Sequence, residues 1–329
     1  MPKKSLSELQ ALVEQGVGSI VYDYPAPALF EPIRYILSLG GKRIRPTLLL
    51  MAHNLYADCV EGALDVALAI ETFHNFTLLH DDLMDKSAMR RGNPTAHVKW
   101  NDNTAILSGD AMQILAYDLL LRSESPALPQ LLPLFTRTAM EVCAGQQMDM
   151  EFESRLDVTV DEYLEMIRLK TAVLLGGALK MGALTGGATP GDADALYDFG
   201  VNVGMAFQLK DDLLDLFGDQ DQFGKPIGGD ILNNKKTFLL ISALANASEQ
   251  QRGEMIDYLA LSPSTPEARE AKIELFRNAF IALGIKELSE VKMQEYYEKA
   301  IAALASLSVD GDATQGLRAI ADNLMTRES

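Results

Sequence analysis

The chain has 329 residues, of which 48% are hydrophobic, and this is ample for a packed globular core. Its net charge of −17 argues against a nucleic-acid partner, because phosphate backbones favour clustered Lys and Arg. Its two cysteines lack CxxC spacing and support neither a disulfide framework nor a zinc site, so we expect a reducing, cytoplasmic location.

The sequence shows no pattern typical of targeting, membrane insertion or a domain boundary. The first residues are basic but lack an apolar region and a small-residue cleavage site. No run of about 18 uncharged apolar residues occurs, so we predict no membrane span. No linker or change of composition divides the chain, and residues 1–329 are therefore expected to form a single domain.

Apolar residues recur at three- and four-residue spacings along most of the chain, which predicts helices. The segments with this pattern are, in chain order, 66–85, 104–122, 131–152, 160–182, 193–216 and 292–307. Alternation of the strand type is missing. The predicted fold class is therefore all-α.

Glycine and proline residues separate these helical patterns at 40–41, 92–94 and 186–191. Gly177 and Gly182 lie instead inside a helical pattern, where each costs about 1 kcal/mol relative to alanine. Such glycines usually let helices approach closely, and we expect this more than room for a slender ligand.

Two motifs of the form DDxxD each end an apolar helical segment. They consist of Asp81, Asp82 and Asp85, and of Asp211, Asp212 and Asp215. Residues i and i+4 project from nearly the same helix face, so the first and last Asp of each motif converge. Mg²⁺ suits such carboxylates, since it prefers oxygen ligands and shares its other positions with water and phosphate. A solvated acidic helix face is the alternative explanation for either motif alone.

Basic residues lie near both motifs in the sequence. Three cations follow a glycine pair within residues 40–46, where backbone N–H groups and side chains can hold an anion together. Arg90 and Arg91 follow the first motif, and arginine matches phosphate oxygens with two parallel hydrogen bonds. Lys170-Thr171 interrupts an apolar helix, and Lys225 and Lys235 follow the second motif. Two separate basic sets indicate two anionic substrates.

These residues resemble the trans-isoprenyl diphosphate synthases of the polyprenyl synthetase family. The resemblance rests on GGKRIRP, IETFHNFTLLHDDLMD, MRRG, LKTA, FQLKDDLLD and FGKPIGGDILNNKKTFLL, in that order. It implies a bundle of helices around a deep central cavity, usually as a homodimer, with the two acidic motifs at the cavity mouth. It also implies about three Mg²⁺ ions on an allylic diphosphate.

The resemblance also implies a role for each site residue. The metal ligands, direct or through water, would be the six motif carboxylates, with Asp81, Asp85 and Asp211 as direct ligands. The allylic diphosphate (dimethylallyl, geranyl or farnesyl) would be held by Arg90, Lys170, Lys225 and Lys235. Isopentenyl diphosphate, which binds without metal, would be held by Lys42, Arg45, His74 and Arg91. Thr171, Gln208 and the carbonyl of Lys170 would face the allylic cation. A satisfied core histidine is the alternative for His74.

The implied activity is a magnesium-dependent prenyltransferase that ionises the allylic diphosphate, condenses it head-to-tail with isopentenyl diphosphate and eliminates a proton. In this family a large side chain just before the first motif closes the tail cavity. Phe76 and the small Thr77 lie five and four residues before Asp81. They predict a short product, geranylgeranyl or farnesyl diphosphate, although Phe76 in the ordinary core is the alternative.

Three other functions share part of the pattern. A terpene cyclase usually carries an Asn/Ser/Glu second metal motif, whereas the second motif here is DDLLD. A non-catalytic regulatory subunit would be expected to lose part of a motif, and none is lost. A helical interaction protein would not explain Arg90-Arg91-Gly92 or Lys170-Thr171. Magnesium-dependent stabilisation by a diphosphate would distinguish an enzyme from such a scaffold.

Overall fold

A computed structural model of the chain describes residues 4–22, 24–218 and 227–326, most of which are helical. The α-helices are α1 (Leu6–Gly18), α2 (Pro27–Ser38), α3 (Ile44–Tyr56), α4 (Leu64–Met84), α5 (Ala96–Lys99), α6 (Asp102–Arg122), α7 (Leu128–Glu153), α8 (Val160–Ile167), α9 (Val173–Gly186), α10 (Pro190–Phe217), α11 (Gly229–Leu232), α12 (Phe238–Asn246), α13 (Glu249–Leu259), α14 (Pro266–Ala282), α15 (Ile285–Ala305) and α16 (Gln315–Thr326). Short 3₁₀ turns occur at Glu61–Ala63 and Gly311–Thr314. The predicted all-α class is confirmed.

A two-stranded hairpin follows the first acidic motif. Strand β1 (Met89–Arg90) pairs antiparallel with β2 (Asn93–Pro94). The two residues between them, Arg91 and Gly92, have φ of 52° and 75°. Two successive positive φ angles match the tight hairpin turns that follow the natural twist of paired strands. The turn therefore sends Arg90 and Arg91 in different directions.

The helix predicted at 160–182 is interrupted in the structure. α8 ends at Ile167, and α9 begins at Val173. Between them, Arg168–Ala172 form a short segment of π-helix, called the π-turn below. A π-turn adds about one residue to a helical turn and is frequent at functional sites. Because the apolar spacing on either side stays helical, hydrophobic periodicity did not reveal it.

The chain forms two compact units, of which the first contains Met1–Thr138, Leu174–Tyr197 and Ser306–Leu317. Within it α4 packs against α2, α3 and α6. A Cβ atom added to Gly182 would collide with the carbonyl of Leu49. The expected close helix contact at Gly182 is therefore confirmed.

The second unit contains Ala139–Val173, Asp198–Ala305 and Arg318–Ser329. One apolar cluster in it surrounds Tyr163 and Phe238, and another surrounds Phe276. α8 begins at a capping box, in which the Thr159 hydroxyl and the Glu162 carboxylate accept each other's backbone N–H groups. This cap fixes where α8 begins and thus where Tyr163 lies. The expectation of one domain spanning residues 1–329 stays a prediction.

Among the described helices, α6 is long and apolar enough to cross a membrane, with a mean hydropathy of 1.2. A buried core helix of a soluble protein passes the same test, and 39% of the apolar window of α6 is buried. The finding is weak evidence for a span, and the absence of a span stays a prediction.

Candidate active site: two acidic motifs and a basic pocket

The first acidic motif lies where α4 ends. α4 continues to Met84, and Asp85 caps it with its N–H bonded to the Asp81 carbonyl at 2.9 Å. The side chain of Asp81 is 21% exposed and that of Asp82 only 2%. The helix therefore presents Asp81 and Asp85 to solvent and turns Asp82 inward.

Arg90 neutralises the buried carboxylate of this motif. Its Nε donates to Asp82 Oδ2 at 2.7 Å, and its Nη2 lies 3.7 Å from Asp81 Oδ2. Burial raises the pKa of Asp82, and the hydrogen bond from Arg90 opposes that rise. The second oxygen, Asp82 Oδ1, is buried and has no hydrogen-bond partner among the described residues. One carboxylate oxygen at this motif thus lacks a donor or a cation.

A basic pocket of about 380 Å³ lies in the same unit. It is lined by Gly41, Lys42, Arg43, Ile44, Arg45, Glu71, His74 and Arg91. Four cationic side chains thus accompany a single carboxylate. The four residues predicted to hold isopentenyl diphosphate, Lys42, Arg45, His74 and Arg91, all line this pocket.

Arg45 and His74 form a partly buried pair in this pocket. Arg45 Nη1 donates to His74 Nε2 at 3.1 Å, so this imidazole is neutral and carries its proton on Nδ1. Burial and then the charge of Arg45 lower the pKa of His74 well below its usual value. Burial also lowers the pKa of Arg45, to about 10. Arg45 Nε is buried without a hydrogen-bond partner in the described structure, as expected of a donor whose acceptor is a bound anion.

The hairpin turn brings Arg91 to the glycine pair. The guanidinium donates to the Gly40 carbonyl, and a Cβ atom on Gly41 would lie 2.8 Å from Arg91 Nη2. Gly41 also has a φ of 140°, which side chains rarely adopt. Glycine at this position thus leaves room for Arg91 beside the pocket.

The second acidic motif lies where α10 ends and has a different environment. Asp212 is 3% exposed, and its oxygens accept hydrogen bonds from the Tyr163 hydroxyl and from Gln208 Nε2, the latter at 3.2 Å. Burial raises the pKa of Asp212 to about 7. Asp215 Oδ2 accepts the N–H of Asp230 at 3.0 Å. The hydrogen-bond donors of the middle carboxylate are thus neutral, and the charge of Lys235 opposes the rise of its pKa.

The π-turn presents Lys170 and Thr171 in this second unit. Lys170 Nζ lies 2.6 Å from Asp149 Oδ2, and Thr171 Oγ1 donates to Gln208 Oε1 at 3.3 Å. A Cβ atom on Gly145 would lie 2.7 Å from Lys170 Cα, so α7 contacts the turn backbone directly. Thr171 and Gln208, which the resemblance implies face the allylic cation, are thus hydrogen-bonded to each other.

Lys235 lies near further carboxylates of this unit. Its Nζ is 3.7 Å from Asp230 Oδ1. Burial acts to lower the pKa of Lys235, but Asp230 and Asp212 outweigh it and raise that pKa above its usual value. Lys235 is therefore fully charged. Lys225, predicted for the same role, lies outside the described residues.

Sequence reasoning missed four residues that contact these groups: Glu71, Asp149, Tyr163 and Asp230. None of them belongs to a recognisable charge pattern. Glu71, Asp149 and Tyr163 acquire their roles through partners distant in sequence, such as Asp212, which lies 49 positions after Tyr163. The π-turn at Lys170 was the remaining clue, and it too appeared only in the structure.

Phe76 lies in an aromatic cluster of the first unit. It is 6% exposed, and its ring centroid lies 5.4 Å from that of Phe73 and 4.8 Å from that of His80. Phe73 in turn contacts Phe135 at 5.4 Å. Thr77 is partly exposed and donates its hydroxyl to the His74 carbonyl at 2.7 Å. The side chain of Phe76 is therefore held by rings on two sides.

The acidic residues fit a magnesium ion in their donor chemistry. Carboxylate oxygens are the ligands that Mg²⁺ prefers, and Asp82 Oδ1 lacks a partner. No three His, Cys, Asp or Glu side chains in the described ranges form a complete metal-binding group by themselves.

Comparisons with known proteins give a consistent result. The family model of polyprenyl synthetases matches residues 26–276. The chain is 36% identical, over 98% of each sequence, to a short chain isoprenyl diphosphate synthase of Methanothermobacter thermautotrophicus.

Solved structures that resemble this chain include synthases of the same kind. The crystal structure of a geranylgeranyl pyrophosphate synthase is 42% identical and superposes with a TM-score of 0.93, covering 99% of this chain and 100% of its own. A polyprenyl synthase from Caulobacter crescentus, complexed with calcium and isoprenyl diphosphate, is 30% identical with a TM-score of 0.83, and all of each chain is covered.

Proposed function

The chain belongs to the polyprenyl synthetase family and is a prenyltransferase, and we propose that it condenses isopentenyl diphosphate with an allylic diphosphate in a Mg²⁺-dependent reaction. The observation that carries the proposal is the hairpin turn. Arg90 pairs with the first acidic motif, while the adjacent Arg91 lines the basic pocket. One tight turn thus supplies an arginine to a carboxylate cluster that is suited to a metal ion. It supplies a second arginine to a pocket in which basic side chains can bind an anion without a metal ion.

The two substrates have separate sets of residues in this proposal. Isopentenyl diphosphate binds in the basic pocket, where Arg45 Nε lacks a partner in the described structure. The allylic diphosphate is held by Arg90, Lys170, Lys235 and, beyond the described residues, Lys225. Mg²⁺ ions bound by the motif aspartates would neutralise the charge that develops on this diphosphate as it leaves.

The remaining chemistry needs orientation rather than a protein nucleophile. The allylic C–O bond breaks, and the released diphosphate takes the bonding electrons. The double bond of isopentenyl diphosphate then attacks the allylic cation, a C–C bond forms, and a proton passes to the diphosphate. Thr171 and Gln208, which are hydrogen-bonded to each other, present oxygen dipoles that stabilise the cation.

The names of the relatives and the intact second motif favour this function over a terpene cyclase or a regulatory subunit. The test is incubation with Mg²⁺ and labelled isopentenyl diphosphate, using dimethylallyl, geranyl and farnesyl diphosphate in turn as primers. Chromatography of the dephosphorylated alcohols should show farnesol or geranylgeraniol. No elongation from any primer would contradict the proposal.

We propose a short product because Phe76 is clamped by Phe73 and His80 and so resists displacement by a growing chain. Phe76→Ala should lengthen the product by at least one isoprene unit, seen in the same chromatography. An unchanged product length would mean that residues other than Phe76 close the tail cavity.

We also propose a cytoplasmic homodimer without a membrane span. Leu107, Ile114 and Leu121 are 59%, 70% and 54% exposed and form one stripe along α6, a kind of surface that a second subunit covers. Both cysteines are free thiols, as in a reducing compartment. Light scattering should give twice the chain mass, and Ile114→Glu should halve it. A monomeric wild type would contradict the dimer.

A further inference from the structure

Arg43 has an unusual backbone conformation at the entrance to the basic pocket. It precedes α3 with φ 45° and ψ 37°, in the left-handed region. For a residue with a side chain this conformation costs roughly 1–2 kcal/mol. The adjacent Gly41 tolerates its positive φ easily, but Arg43 does not. Contacts elsewhere must offset the cost.

The side chain of Arg43 provides those contacts. Nη1 donates to Glu71 Oε1 at 2.6 Å, Nε to Glu14 Oε1 at 2.8 Å, and Nη2 to the Leu37 carbonyl at 2.6 Å. The partners belong to α4 and α1 and to the end of α2. Arg43 is only 4% exposed. A buried guanidinium with charge-assisted bonds to three elements holds its own backbone firmly.

These bonds also show that Arg43 is not an anion ligand like its neighbours. Three of its guanidinium nitrogens donate to protein acceptors, whereas Arg45 keeps a buried nitrogen without a partner in the described part of the chain. The sequence pattern alone presented all three cations of residues 40–46 as equivalent.

We propose that Arg43 is a positioning residue, whose clamped guanidinium holds the left-handed turn that places Lys42 and Arg45 around the diphosphate of isopentenyl diphosphate. The inference rests on the proposed function. Arg43 also neutralises the carboxylate of Glu71, which lines the same pocket. A carboxylate in an anion pocket repels the ligand, and pairing with Arg43 removes much of that repulsion.

Two substitutions separate the clamp from the backbone conformation. Arg43→Lys keeps the positive charge but loses the planar guanidinium and its several hydrogen bonds. Arg43→Gly removes the backbone strain, but it also removes all of these side-chain hydrogen bonds. Both should raise the KM for isopentenyl diphosphate about tenfold, or about 1.4 kcal/mol, and change the KM for the allylic substrate less than about twofold. Arg122→Lys, in an exposed pair with Asp118, is the matched control and should change neither.

Glu71→Gln provides an independent test, because net charge and positioning predict opposite changes in the KM for isopentenyl diphosphate. If net charge alone governed the pocket, loss of the carboxylate would tighten isopentenyl diphosphate. If positioning governs, loss of the strongest clamp contact raises its KM, even though the pocket becomes more positive. Melting temperatures show that each variant is folded under the assay conditions.

Three results would overturn the inference while the proposed function stands. They are a wild-type KM for isopentenyl diphosphate in Arg43→Gly, a parallel rise of both KM values, and a lower KM in Glu71→Gln. A wild-type protein that elongates no primer refutes the proposed function itself, and the inference then falls with it.

Discussion

The two acidic motifs have the same spacing and the same buried middle residue but different partners. Asp82 and Asp212 are 2% and 3% exposed. Asp82 pairs with Arg90, whereas Asp212 accepts hydrogen bonds from Tyr163 and Gln208, which are neutral. Burial raises the pKa of both carboxyl groups, and for Asp212 it does so to about 7. Identical motifs therefore meet different hydrogen-bond donors, because different parts of the fold surround them.

The difference originates in local structure. A hairpin turn carries Arg90 back to the end of α4, and a capped helix carries Tyr163 to Asp212. The first motif is thus an ion-paired cluster, and the second is a hydrogen-bonded one. The predictions below test whether the two motifs act alike in catalysis and differ in stability.

The largest expected effect is shared by both motifs. Asp81→Ala and Asp211→Ala should each lower kcat by about 10³-fold, since each removes a proposed ligand of the metal that would stabilise the leaving group. Steady-state kinetics at saturating substrate measures this, and melting curves check the fold. Asp257→Ala, on an exposed helix surface, is the control and should be fully active. Near-normal turnover in either variant would remove that motif from the metal assignment.

A smaller effect is expected at the π-turn beside the second motif. Gly145→Ala puts a Cβ atom 2.7 Å from Lys170 Cα, so the backbone must move, which costs about 1–3 kcal/mol. We expect kcat to fall about tenfold, or about 1.4 kcal/mol of activation free energy.

Gly177→Ala is the matched control for this prediction. Its Cβ atom would meet a single side chain rather than backbone, with Thr138 Oγ1 at 3.0 Å and Cγ2 at 3.2 Å, so that a shift of a few tenths of an ångström relieves the contact. This variant should keep its kcat. Equal losses in the two variants would show that the π-turn has no special role.

The middle residues should differ in stability. Asp82→Asn leaves Arg90 without its ionised partner and should lower the free energy of unfolding by about 2 kcal/mol. Asp212→Asn retains an acceptor for Tyr163 and should cost about 1 kcal/mol or less. Urea denaturation at pH 7 without metal measures both. A larger loss for Asp212→Asn would reverse the comparison.

The smallest effect is the pH dependence contributed by one histidine of the unit with the first motif, which contains all four histidines. Burial lowers the pKa of His53, whose ring nitrogens contact Thr185 and the Cys59 carbonyl. Below about pH 6.5 His53 is therefore protonated more fully in the unfolded chain than in the folded one, and its contribution to stability falls as the pH falls. His53→Gln should have a smaller slope between pH 7 and 5 in urea denaturation. An unchanged slope would assign the dependence to other groups.

The helices and both acidic motifs were predictable from the sequence because the interactions that form them are local. Three- and four-residue spacing puts Asp81 and Asp85 on one face whatever surrounds them. The basic pocket was predictable in composition for a similar reason, since Lys42 and Arg45 occupy one short turn. The roles implied for the six motif aspartates in metal binding stay predictions.

Tertiary structure alone decided which cation or hydroxyl meets each carboxylate. Arg43 reaches Glu71 across 28 residues and Tyr163 reaches Asp212 across 49. Such pairs form only when helices pack, and no periodic pattern records them. The sequence by itself thus determined the helices and the chemical character of the motifs. The hydrogen-bond partner of each buried carboxyl group and the shift of its pKa depend on packing and burial, which exist only in the folded chain.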